Sequence, residues 1–584
     1  MFLLVLVFLL TGIIQLVGIG SIMPFLGLLT KPEIVNENQI LFFLYNKLLF
    51  ENINSFLFFL GFVVLGLFIF TNIFIGISLW LTTRFAWLIQ ARISISLLKA
   101  YLQQPYSNFL NTHSADIGKN ILTETHQLVA GILVPFLRMA SFGILIIFIS
   151  SFLLWYDPIL AIISILIIGG GYGLFYWFFQ QPLHLRGQER FKSTTERFTI
   201  VSEAFGSIKE TKLLGLESSF EKRFTPPSLF FSHAMTMQQV IKDLPRYIFE
   251  TLAFGSLLGV ILFLIAKGRN LQDIVPIAGM YAFSGYRLLP AINDIYRSIA
   301  QIRFSTPVLE TIYNQIRENQ VNKIDKKILL KNNISTIDKL NFEKKIELKK
   351  VSFSYPNTSE LAIKDISLKI KKGSFIGIVG ETGSGKTTLV DIILGLFSPQ
   401  KGQLFIDDTP IGKLNIRSWQ DKIGYVPQEI FLTDENIASN IAFGIPKKEI
   451  NMEAVEEAAK IANLHDFIID RLPEKYNSIV GEKGVRLSGG QRQRIGIARS
   501  LYRNPDLIVM DEATSNLDQA TEATVYEAIQ QTIVDKTVIM IAHRLQRVKD
   551  CDFLYVLEKG KIVGKGIYDQ LVQDNSIFKN MVDS

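Results

Sequence analysis

The octapeptide that ends at Thr387 carries the residue types and spacing of a phosphate-binding loop. It reads Gly380-Glu381-Thr382-Gly383-Ser384-Gly385-Lys386-Thr387 and fits the pattern G-x-x-x-x-G-K-[ST]. The apolar run before it predicts a buried strand, and the run from Thr388 onward predicts a helix. In that order, the glycines let backbone N–H groups close on phosphates, and the helix dipole favours their negative charge. We expect these residues and Thr388 to bind the phosphates, with Lys386 on the outer phosphates and the Thr387 hydroxyl on Mg²⁺.

Further polar residues follow apolar runs that predict other strands of the same domain. Asp511 ends one such run, where its carboxylate can hold Mg²⁺ through water, and Glu512 can then polarise an attacking water. Gln428 can reach both the metal and that water, and His543 can touch the γ-phosphate. Tyr355, well upstream, offers an aromatic face to adenine. Taken singly, these last three would be ordinary surface or core residues, and their shared context is what favours a site.

A second candidate phosphate cradle lies at Ser488-Gly489-Gly490-Gln491, directly after Leu487. An Arg-rich helix follows, so the serine and glycine N–H groups would stand at a helix N-terminus. One phosphate loop already serves the triphosphate within the subunit. A second cradle makes sense if it serves the nucleotide of another subunit.

Residues 346–584 resemble the ATP-binding cassette of an ABC transporter. Leu487–Gln491 matches the family signature letter for letter, and the segment ending at Asp518 resembles the D-loop. Asn516 replaces the usual alanine of that loop, which leaves Asp518 intact for the ATP site. Residues 480–484 are similar to the exporter x-loop, through which Glu482 would sense the membrane domain.

The resemblance implies ATP and Mg²⁺ as cofactors, a second copy of the chain as partner, and a set of catalytic residues. Two cassettes would close on two ATP molecules, each pairing one subunit's phosphate loop with the other subunit's signature. Glu512 would be the catalytic base, assisted by Gln428 and His543. Helical turns near 106–115 and 206–218 would carry the motion to the spans.

The first half of the chain is largely apolar, whereas most charge lies in the second half. Its long apolar stretches exceed the roughly 18 residues that indicate a membrane span. Six spans are expected. The first three lie near residues 1–29, 55–103 and 121–155. The fourth starts at 158 and runs past 182, the fifth ends near 266, and the sixth covers 271–317. Several are longer than a bilayer requires, so we expect them to project as helices on the side of the soluble half. The start of the chain inside hydrophobic sequence indicates a first span rather than a signal peptide, and is compatible with a missing cytoplasmic lead-in segment.

Charge predicts the orientation of the spans. The formal net charge is +7, and the basic residues cluster beside the spans, so a membrane explains them better than nucleic acid does. Residues 184–224 are strongly basic while the loop 30–54 is not, which predicts that the soluble half lies on the cytoplasmic side of the membrane. The basic loop 267–269 goes against this rule. The single cysteine, Cys551, allows no intrachain disulfide and is expected to be a small buried residue.

These patterns predict an all-α six-helix transmembrane domain followed by an α/β P-loop NTPase domain. The expected boundaries are 1–318 for the membrane domain, 319–345 for a linker, and 346–584 for the nucleotide-binding domain. The segment 38–50 in the first outer loop is too short to span. It could lie flat at the outer interface, or form an apolar loop packed on neighbouring helices.

Two arginines within the spans are candidates for substrate binding, because intramembrane charges are costly and usually functional. By helical rise, Arg246 lies near the inner boundary and Arg287 about 22 Å below the outer one. A guanidinium suits an anionic headgroup such as pyrophosphate. The alternative is pairing within the membrane, with Glu250 for Arg246 and Asp294 for Arg287.

The stretches 20–25, 244–246 and 286–290 are similar to PglK-type lipid-linked oligosaccharide flippases. This resemblance implies ATP-driven flipping of a polyprenyl-pyrophosphate-linked glycan, with the arginines on the pyrophosphate and segment 38–50 on the lipid tail. Export of another lipid, a glycolipid, a drug or a peptide is the alternative. A member of a different class, an ATP-gated membrane regulator or channel, would carry the same cassette.

Overall fold

The computed structural model describes most of the chain in two compact units. The described residues are 2–31, 33, 35, 39–50, 52–110, 114–156, 158–266, 271–332, 340–356, 358–481, 484–511, 536–542 and 545–583. The first unit comprises Met1–Gln104 and Thr112–Val321, and the second comprises Pro105–Asn111 and Asn322–Ser584. The second unit is therefore discontinuous along the chain.

The described part of the first unit consists of helices. Two helical pieces in the same part of the chain, the short α5 and the end of α12, belong to the second unit. Their bounds are α1 Phe2–Gly20, α2 Ile22–Thr30, α3 Gln39–Lys47, α4 Ile53–Leu102, α5 Tyr106–Phe109, α6 Ser114–Lys119, α7 Thr125–Leu128, α8 Val134–Tyr156, α9 Pro158–Gly206, α10 Ile208–Leu213, α11 Glu217–Ala266 and α12 Leu271–Asn332. Two π-helical turns, Asn120–Glu124 and Val129–Leu133, join α6, α7 and α8 into one continuous segment.

Three helical stretches in the described part of the chain are long and apolar enough to cross a membrane, namely Phe2–Thr30, Ile53–Leu102 and Ala115–Tyr156. The other long helices, α9, α11 and α12, contain 49, 50 and 62 residues. Each exceeds twice the roughly 20 residues that a bilayer needs, in agreement with the predicted helical extensions. Helix α12 continues to Asn332, past the boundary expected at residue 318.

Glycines lie at close helix approaches in the first unit. A Cβ on Gly187 of α9 would lie 2.1 Å from the Phe304 carbonyl oxygen of α12, well inside van der Waals contact distance. A Cβ on Gly131 would collide with the Ser305 side chain one residue further along α12. Helix α12 is thus held between α9 and the π-helical turn 129–133 at a point where neither neighbour has room for a side chain.

The outer-loop segment forms α3, which packs one face on its neighbours. Leu41 and Tyr45 lie in a cluster with Leu28 and Phe56, both fully buried, and the Tyr45 and Phe56 rings meet edge to face at 5.4 Å. The opposite face leaves Phe42 and its neighbour exposed. The segment is therefore a packed helix rather than an irregular loop, with a second apolar face turned outward.

Two sheets build the second unit. Their strands are β1 Lys345–Ser354, β2 Leu361–Lys371, β3 Phe375–Gly380, β4 Lys401–Ile406, β5 Thr409–Pro410, β6 Ile423–Val426, β7 Leu507–Asp511, β8 Thr537–Ile541, β9 Phe553–Glu558 and β10 Lys561–Gly566. The helices are α13 Lys386–Ile393, α14 Ile416–Gln420, α15 Ile437–Ile441, α16 Met452–Ile461, α17 His465–Arg471, α18 Gly489–Leu501, α19 Tyr568–Asp574 and α20 Ser576–Asp583. One sheet is antiparallel, in the order β2-β1-β4-β5, and the other has the order β10-β9-β3-β8-β7-β6.

The central strands of the larger sheet are buried on both faces. Strands β9, β3, β8, β7 and β6 are parallel, which requires helices or a second sheet on each side. In β7, Leu507 and Val509 face the cluster shared with the antiparallel sheet, whereas Ile508 and Met510 face the helical side. This double burial explains why these strands are continuous apolar runs in the sequence.

The short helix α5 belongs to the second unit although it lies between two long helices of the first. The ring of Tyr106 lies 5.5 Å from that of Phe397, within an aromatic group that also holds Phe353 and Tyr355. The domain boundaries expected from sequence are continuous ranges, and they stay a prediction. The described structure adds that residues 105–110 pack with the cassette.

Candidate nucleotide site and transport cavity

The carboxyl edge of the parallel sheet brings the predicted nucleotide residues together. Ile378 of β3 is in register with Ile541 of β8, and Ile541 is in register with Asp511 of β7. Asp511 therefore ends its strand at the level where the phosphate loop begins, two strands away and roughly 10 Å across the sheet. Gln428 follows β6 at the same edge. Ligands of open parallel sheets bind in the crevice outside this edge.

Backbone conformation explains the glycines of the loop. Gly383 and Gly385 have φ angles of 79° and 102°, in the left-handed region that favours glycine. A Cβ on Gly385 would lie 2.9 Å from the carbonyl oxygen of Ala362, and one on Gly380 would collide with the carbonyl oxygen of Leu557. No atom lies within 4 Å of the Cβ position of Gly383, which leaves open space on the concave side of the loop.

The polar side chains of the loop fit a bound phosphate. The Lys386 ammonium is buried and donates hydrogen bonds to the carbonyl oxygens of Gly380 at 2.8 Å and Glu381 at 2.9 Å, which folds the side chain across the loop. Ser384 is also buried, and its hydroxyl has no hydrogen-bond partner among the described residues. A buried hydroxyl without a partner is costly. A phosphate oxygen in the loop would satisfy it, alongside the first N–H groups of α13.

Tyr355 is tied to the phosphate-binding helix. Its hydroxyl lies 2.8 Å from the Thr388 hydroxyl, either of which can donate. Its ring meets Phe353 at 5.4 Å and Phe397 at 5.6 Å, both edge to face. The ring is thus held by aromatic neighbours, as a stacking platform for adenine needs to be.

The donor set at the sheet edge suits Mg²⁺ carried by a nucleotide. Asp511 supplies a buried carboxylate, and Thr387 and Gln428 supply neutral oxygens. In the part of the chain that the structure describes, no cluster of three or more His, Cys, Asp or Glu side chains could hold a metal alone. Mg²⁺ typically binds through one or two carboxylates together with phosphates, which these residues allow.

Three predicted residues, Glu512, Asp518 and His543, lie outside the described residues, as does Glu482. Their roles as catalytic base, D-loop carboxylate, γ-phosphate contact and membrane sensor remain predictions. The strand ends that precede Glu512 and His543, at Asp511 and Ile541, both reach the carboxyl edge of the sheet.

A half-buried carboxylate near Asp511, that of Asp391, was not expected from the sequence. Burial, and secondarily the charge of Asp511, raises the pKa of Asp391 on α13 to about 6. Burial and the charges of Asp511 and Asp391 also raise the pKa of Tyr425 on β6. No sequence signal pointed to Asp391, because a single carboxylate inside an apolar helix has no motif around it.

Replacing Asp391 by asparagine is expected to stabilise the protein at pH 8 and to have little effect near pH 4. The folded state holds the pKa of Asp391 near 6, above the ordinary value of 3.8, so it favours the protonated form. The stability from this group is complete below pH 4 and is lost as pH rises through 6, by about 3 kcal/mol at most. Thermal unfolding of the full chain in detergent, without nucleotide or Mg²⁺, measures it at each pH.

The matched control is Asp421→Asn, since Asp421 is exposed and faces Arg417 at 3.9 Å. This variant should show no gain that appears between pH 5 and pH 8. An Asp391→Asn variant with the same pH profile as the unmodified chain would contradict the raised pKa.

The signature segment caps an exposed helix start. The Ser488 hydroxyl accepts a hydrogen bond from the Gln491 backbone N–H at 3.2 Å, and the Gln491 side-chain oxygen accepts one from the Ser488 N–H at 2.8 Å. This capping box fixes the start of α18. Ser488 and Gly489 are exposed while Gly490 is buried, so the first residues of the segment are accessible.

Arg499 anchors the far end of the same helix. It donates hydrogen bonds to the carbonyl oxygens of Asn440 and Phe431, each at 2.9 Å, and its guanidinium lies over the Phe443 ring at 4.6 Å. Burial lowers the pKa of Arg499 to about 10. Phe431 follows Gln428 by three residues, so the signature helix and the segment after Gln428 are joined by this side chain.

The first unit contains a cavity of about 550 Å³ with charged and aromatic walls. Its lining comprises Tyr172, Arg246, Glu250, Phe254, Tyr281, Ala282, Gly285, Tyr286, Leu289, Pro290, Asn293, Asp294 and Arg297. We call it the upper cavity. Arg246 pairs with Glu250 at 2.7 Å, and Arg297 pairs with Asp243 at 2.8 Å. Asn293 is buried, and in the part of the chain that the structure describes its side-chain oxygen has no hydrogen-bond partner.

Only one of the two predicted substrate arginines lines the upper cavity. Arg246 does, and it is paired with Glu250 as the alternative reading of the sequence expected. Arg287 instead donates to Asn72 at 3.5 Å and lies 6.0 Å from the Phe68 ring, both on α4. Asp294 faces Arg297 at 4.0 Å. Arg297, which the sequence did not predict, therefore lines the upper cavity with Arg246, whereas Arg287 does not.

Comparisons with known proteins agree with this architecture. Residues 1–276 match the family described as ABC transporter transmembrane region, and residues 363–515 match the family described as ABC transporter. YgaD of Bacillus subtilis (strain 168), provisionally named a multidrug export ATP-binding/permease protein, is 30% identical over 478 residues, which cover 81% of this chain and 80% of YgaD. The structure of a bacterial Atm1-family ABC exporter with ATP bound aligns with a TM-score of 0.77 at 21% identity, over 99% of this chain and 96% of that one.

Two further relatives match the cassette half at higher identity. An ATP-dependent lipid A-core flippase of Saccharophagus degradans is 40% identical over 247 residues, 42% of each chain. ATP-binding cassette sub-family B member 5 of Homo sapiens is 39% identical over 240 residues, 41% of this chain. The chain spans only 19% of the length of that human relative.

The chain belongs to the ABC transporter family. A helical transmembrane region precedes an α/β ABC ATPase domain in one polypeptide, which confirms the predicted fold class and is the arrangement of a half-size exporter. It is a multi-pass membrane protein of a class in which ATP hydrolysis is coupled to transport.

Proposed function

We propose that two copies of this chain form an exporter that flips or exports an amphipathic substrate across the bacterial inner membrane, at the cost of ATP. The substrate class that we favour is a lipid-linked oligosaccharide or a glycolipid. The observation that carries this proposal is the upper cavity, whose walls combine ion-paired arginines with tyrosine and phenylalanine rings. Its volume, about 550 Å³, lies within the usual range for ligand sites.

The lining favours a ligand with both polar and apolar parts. Arg246 and Glu250 form an ion pair whose side chains are 53% and 43% exposed, so each retains free hydrogen-bonding capacity toward a ligand. The side-chain oxygen of Asn293 needs a donor, which a sugar hydroxyl provides. Tyr172 and Phe254 supply aromatic surface, on which sugar rings and lipid chains both pack.

The cassette would drive the cycle through its own charges. Asp511 and Thr387 would hold Mg²⁺, which would supply neutralisation of the phosphate charge when bound. Lys386, now engaged with the carbonyls of its own loop, would turn its ammonium to the outer phosphates. Two cassettes held together by nucleotide would separate after hydrolysis, because the γ-phosphate bridge is lost. This is a two-state element biased by ligand.

The decisive experiment places the full-length protein in vesicles that contain fluorescent lipid-linked oligosaccharide in one leaflet. ATP should expose the glycan on the opposite leaflet, and Arg246→Gln should slow this by about tenfold, the loss expected for a charge-assisted hydrogen bond. Lys192→Gln is the control, since Lys192 is exposed and lies 4.0 Å from Glu196 on α9, outside both the cavity and the segments expected to carry the motion. Efficient movement of an unrelated lipid without movement of the oligosaccharide would reject the proposed cargo.

Relatives support two rival cargoes. One relative is named as a lipid A-core flippase, and another is provisionally named for multidrug export. The same vesicles with lipid A-core or with cationic dyes in place of the oligosaccharide distinguish these possibilities. An ATP-gated regulator or channel would show no vectorial movement during sustained ATP hydrolysis, so the vesicle assay also separates that class.

A further inference from the structure

The first unit contains a second cavity, of about 430 Å³, that the proposed transport site does not use. Its lining comprises Thr123, Gln127, Arg190, Thr194, Arg197, Phe198, Val201, Phe224, Phe231 and Met235. No residue is shared with the upper cavity. We call it the lower cavity. By helical rise, Arg190 lies about 48 Å along α9 from the outer turn at Pro158, close to the roughly 40–45 Å of a bilayer with its headgroups.

Two guanidinium groups of the lower cavity have unused hydrogen-bonding capacity. Arg190 pairs with Glu124 at 3.0 Å, their side chains being 6% and 0% exposed. Among the residues that the structure describes, the Nε atoms of Arg190 and Arg197 have no hydrogen-bond partner. In the described part of the chain, no carboxylate lies within ion-pair distance of Arg197. Two guanidinium groups against one carboxylate leave the cavity with one net positive charge.

The remaining walls are apolar and hold the Arg197 guanidinium in place. It lies 4.5 Å from the Phe231 ring centre and 5.6 Å from that of Phe224. Such stacking orients a guanidinium without consuming its N–H donors. With Val201 and Met235, these rings form a hydrophobic wall opposite the charge.

The backbone on one side of the lower cavity is irregular. Thr123 lies in the first π-helical turn, and Gln127 lies between the two turns at 120–124 and 129–133. π-Helical turns in α-helices occur often at functional sites. Here Thr123 and Gln127 lie in the cavity wall and Glu124 lies against Arg190, on a segment that is otherwise a regular helix.

We propose that the lower cavity binds an anionic amphiphile, with its phosphate or similar anionic group on Arg190 and Arg197 and its apolar chain on the phenylalanine wall. The anionic group would balance the net positive charge of the two guanidinium groups. The chain would cover Val201, Phe224 and Phe231. The ligand comes either from the inner leaflet, as a lipid headgroup, or from the cytoplasm, as a soluble amphiphile.

Binding is measured with octyl phosphate as the probe, by calorimetry on the nucleotide-free full-length protein in maltoside detergent. Arg197→Gln should weaken binding by about tenfold, the loss of one charge-assisted hydrogen bond. Arg223→Gln is the matched control, since Arg223 lies 5.4 Å from the Phe220 ring and pairs with Glu203 on the surface. The proposed cargo is tested by ATP-driven oligosaccharide movement in vesicles, which is a separate measurement from octyl phosphate affinity, so failure here and failure of the proposed cargo are distinguishable.

Two further variants keep the test decisive if Arg197→Gln fails to fold. Arg197→Lys retains the cation and should bind octyl phosphate with intermediate affinity. Met235→Trp fills the apolar end and should block the probe while all charges remain. The proposal is overturned if Arg197→Gln and Met235→Trp bind as the unmodified chain does, or if inorganic phosphate binds as tightly as octyl phosphate.

The source of the ligand is separated by native mass spectrometry after exchange into nanodiscs of phosphatidylglycerol and phosphatidylcholine. Retention of phosphatidylglycerol that Arg197→Gln abolishes identifies a lipid ligand. Binding of octyl phosphate without retained phosphatidylglycerol identifies a soluble amphiphile. Either result supports the anionic amphiphile site.

Discussion

Replacing Glu512 by glutamine should reduce steady-state ATP hydrolysis at least about a hundredfold while leaving ATP binding intact. A positioned general base contributes roughly 10² to 10⁴ in rate, and glutamine keeps the shape of the side chain without its basicity. Glu512 directly follows Asp511, which ends β7 at the edge where the phosphate loop lies. The measurement is phosphate release by the purified full-length protein at saturating ATP and Mg²⁺.

The same variant also tests the face-to-face arrangement of two cassettes. Without hydrolysis, Glu512→Gln should trap ATP and hold two chains together, seen as a stable ATP-dependent dimer of cassettes by cross-linking. Adding Ser488→Arg should abolish this trapping, because Ser488 is exposed at the start of α18 and would face the partner's nucleotide. Glu453→Gln, an exposed carboxylate in α16, is the control and should hydrolyse ATP normally. Normal turnover by Glu512→Gln would remove Glu512 from its assigned role.

Replacing Gly187 by alanine should lower the stability of the membrane unit by about 3 kcal/mol, the upper end of the usual cost of overpacking. The added methyl group would overlap the carbonyl oxygen of Phe304, and a backbone atom in a helix cannot move aside as a side chain can. Helices α9 and α12 would have to separate at their closest approach. The midpoint of thermal unfolding in detergent and the rate of ATP-driven transport in vesicles measure the effect.

Gly173→Ala on the same helix is the matched control. No atom lies within 4 Å of the Cβ position of Gly173, so the same chemical change meets no neighbour. Its midpoint should stay level or rise slightly, because alanine favours a helix over glycine by about 1 kcal/mol. Equal midpoints for Gly187→Ala and Gly173→Ala would show that the crossing tolerates a side chain.

Local sequence was a good guide to the cassette because its chemistry depends on neighbours in the chain. The loop from Gly380 to Thr387 needs glycines with left-handed backbone conformation and a helix directly after them. The fixed spacing of residue types in the motif predicts both. Continuous apolar runs predicted strands such as β7, since a parallel sheet covered on both faces leaves no polar side. The helix N-terminus after Leu487 could also be predicted locally, and the capping box found there is made by residues only three apart in the chain.

Contacts between residues that are distant in the chain could not be predicted from the sequence. Arg287 was a candidate because of its depth in the membrane, and Arg297 was not considered. Helix rotation decides which arginine faces the upper cavity, and depth carries no information on rotation. The pair of Arg190 and Glu124 joins α9 to a π-helical turn 66 residues earlier, and no pattern in the sequence relates the two. The tight approach at Gly187 likewise depends on Phe304, a residue on another helix.

The membership of α5 in the cassette has a practical consequence for anyone who produces the soluble half by itself. A fragment cut at residue 346 would lack Tyr106 and would leave the Phe397 ring without its cover, next to Tyr355. Such a fragment should aggregate more readily and bind adenine nucleotides with lower affinity than the intact polypeptide. Supplying residues 105–110 as a grafted or added peptide should repair both defects.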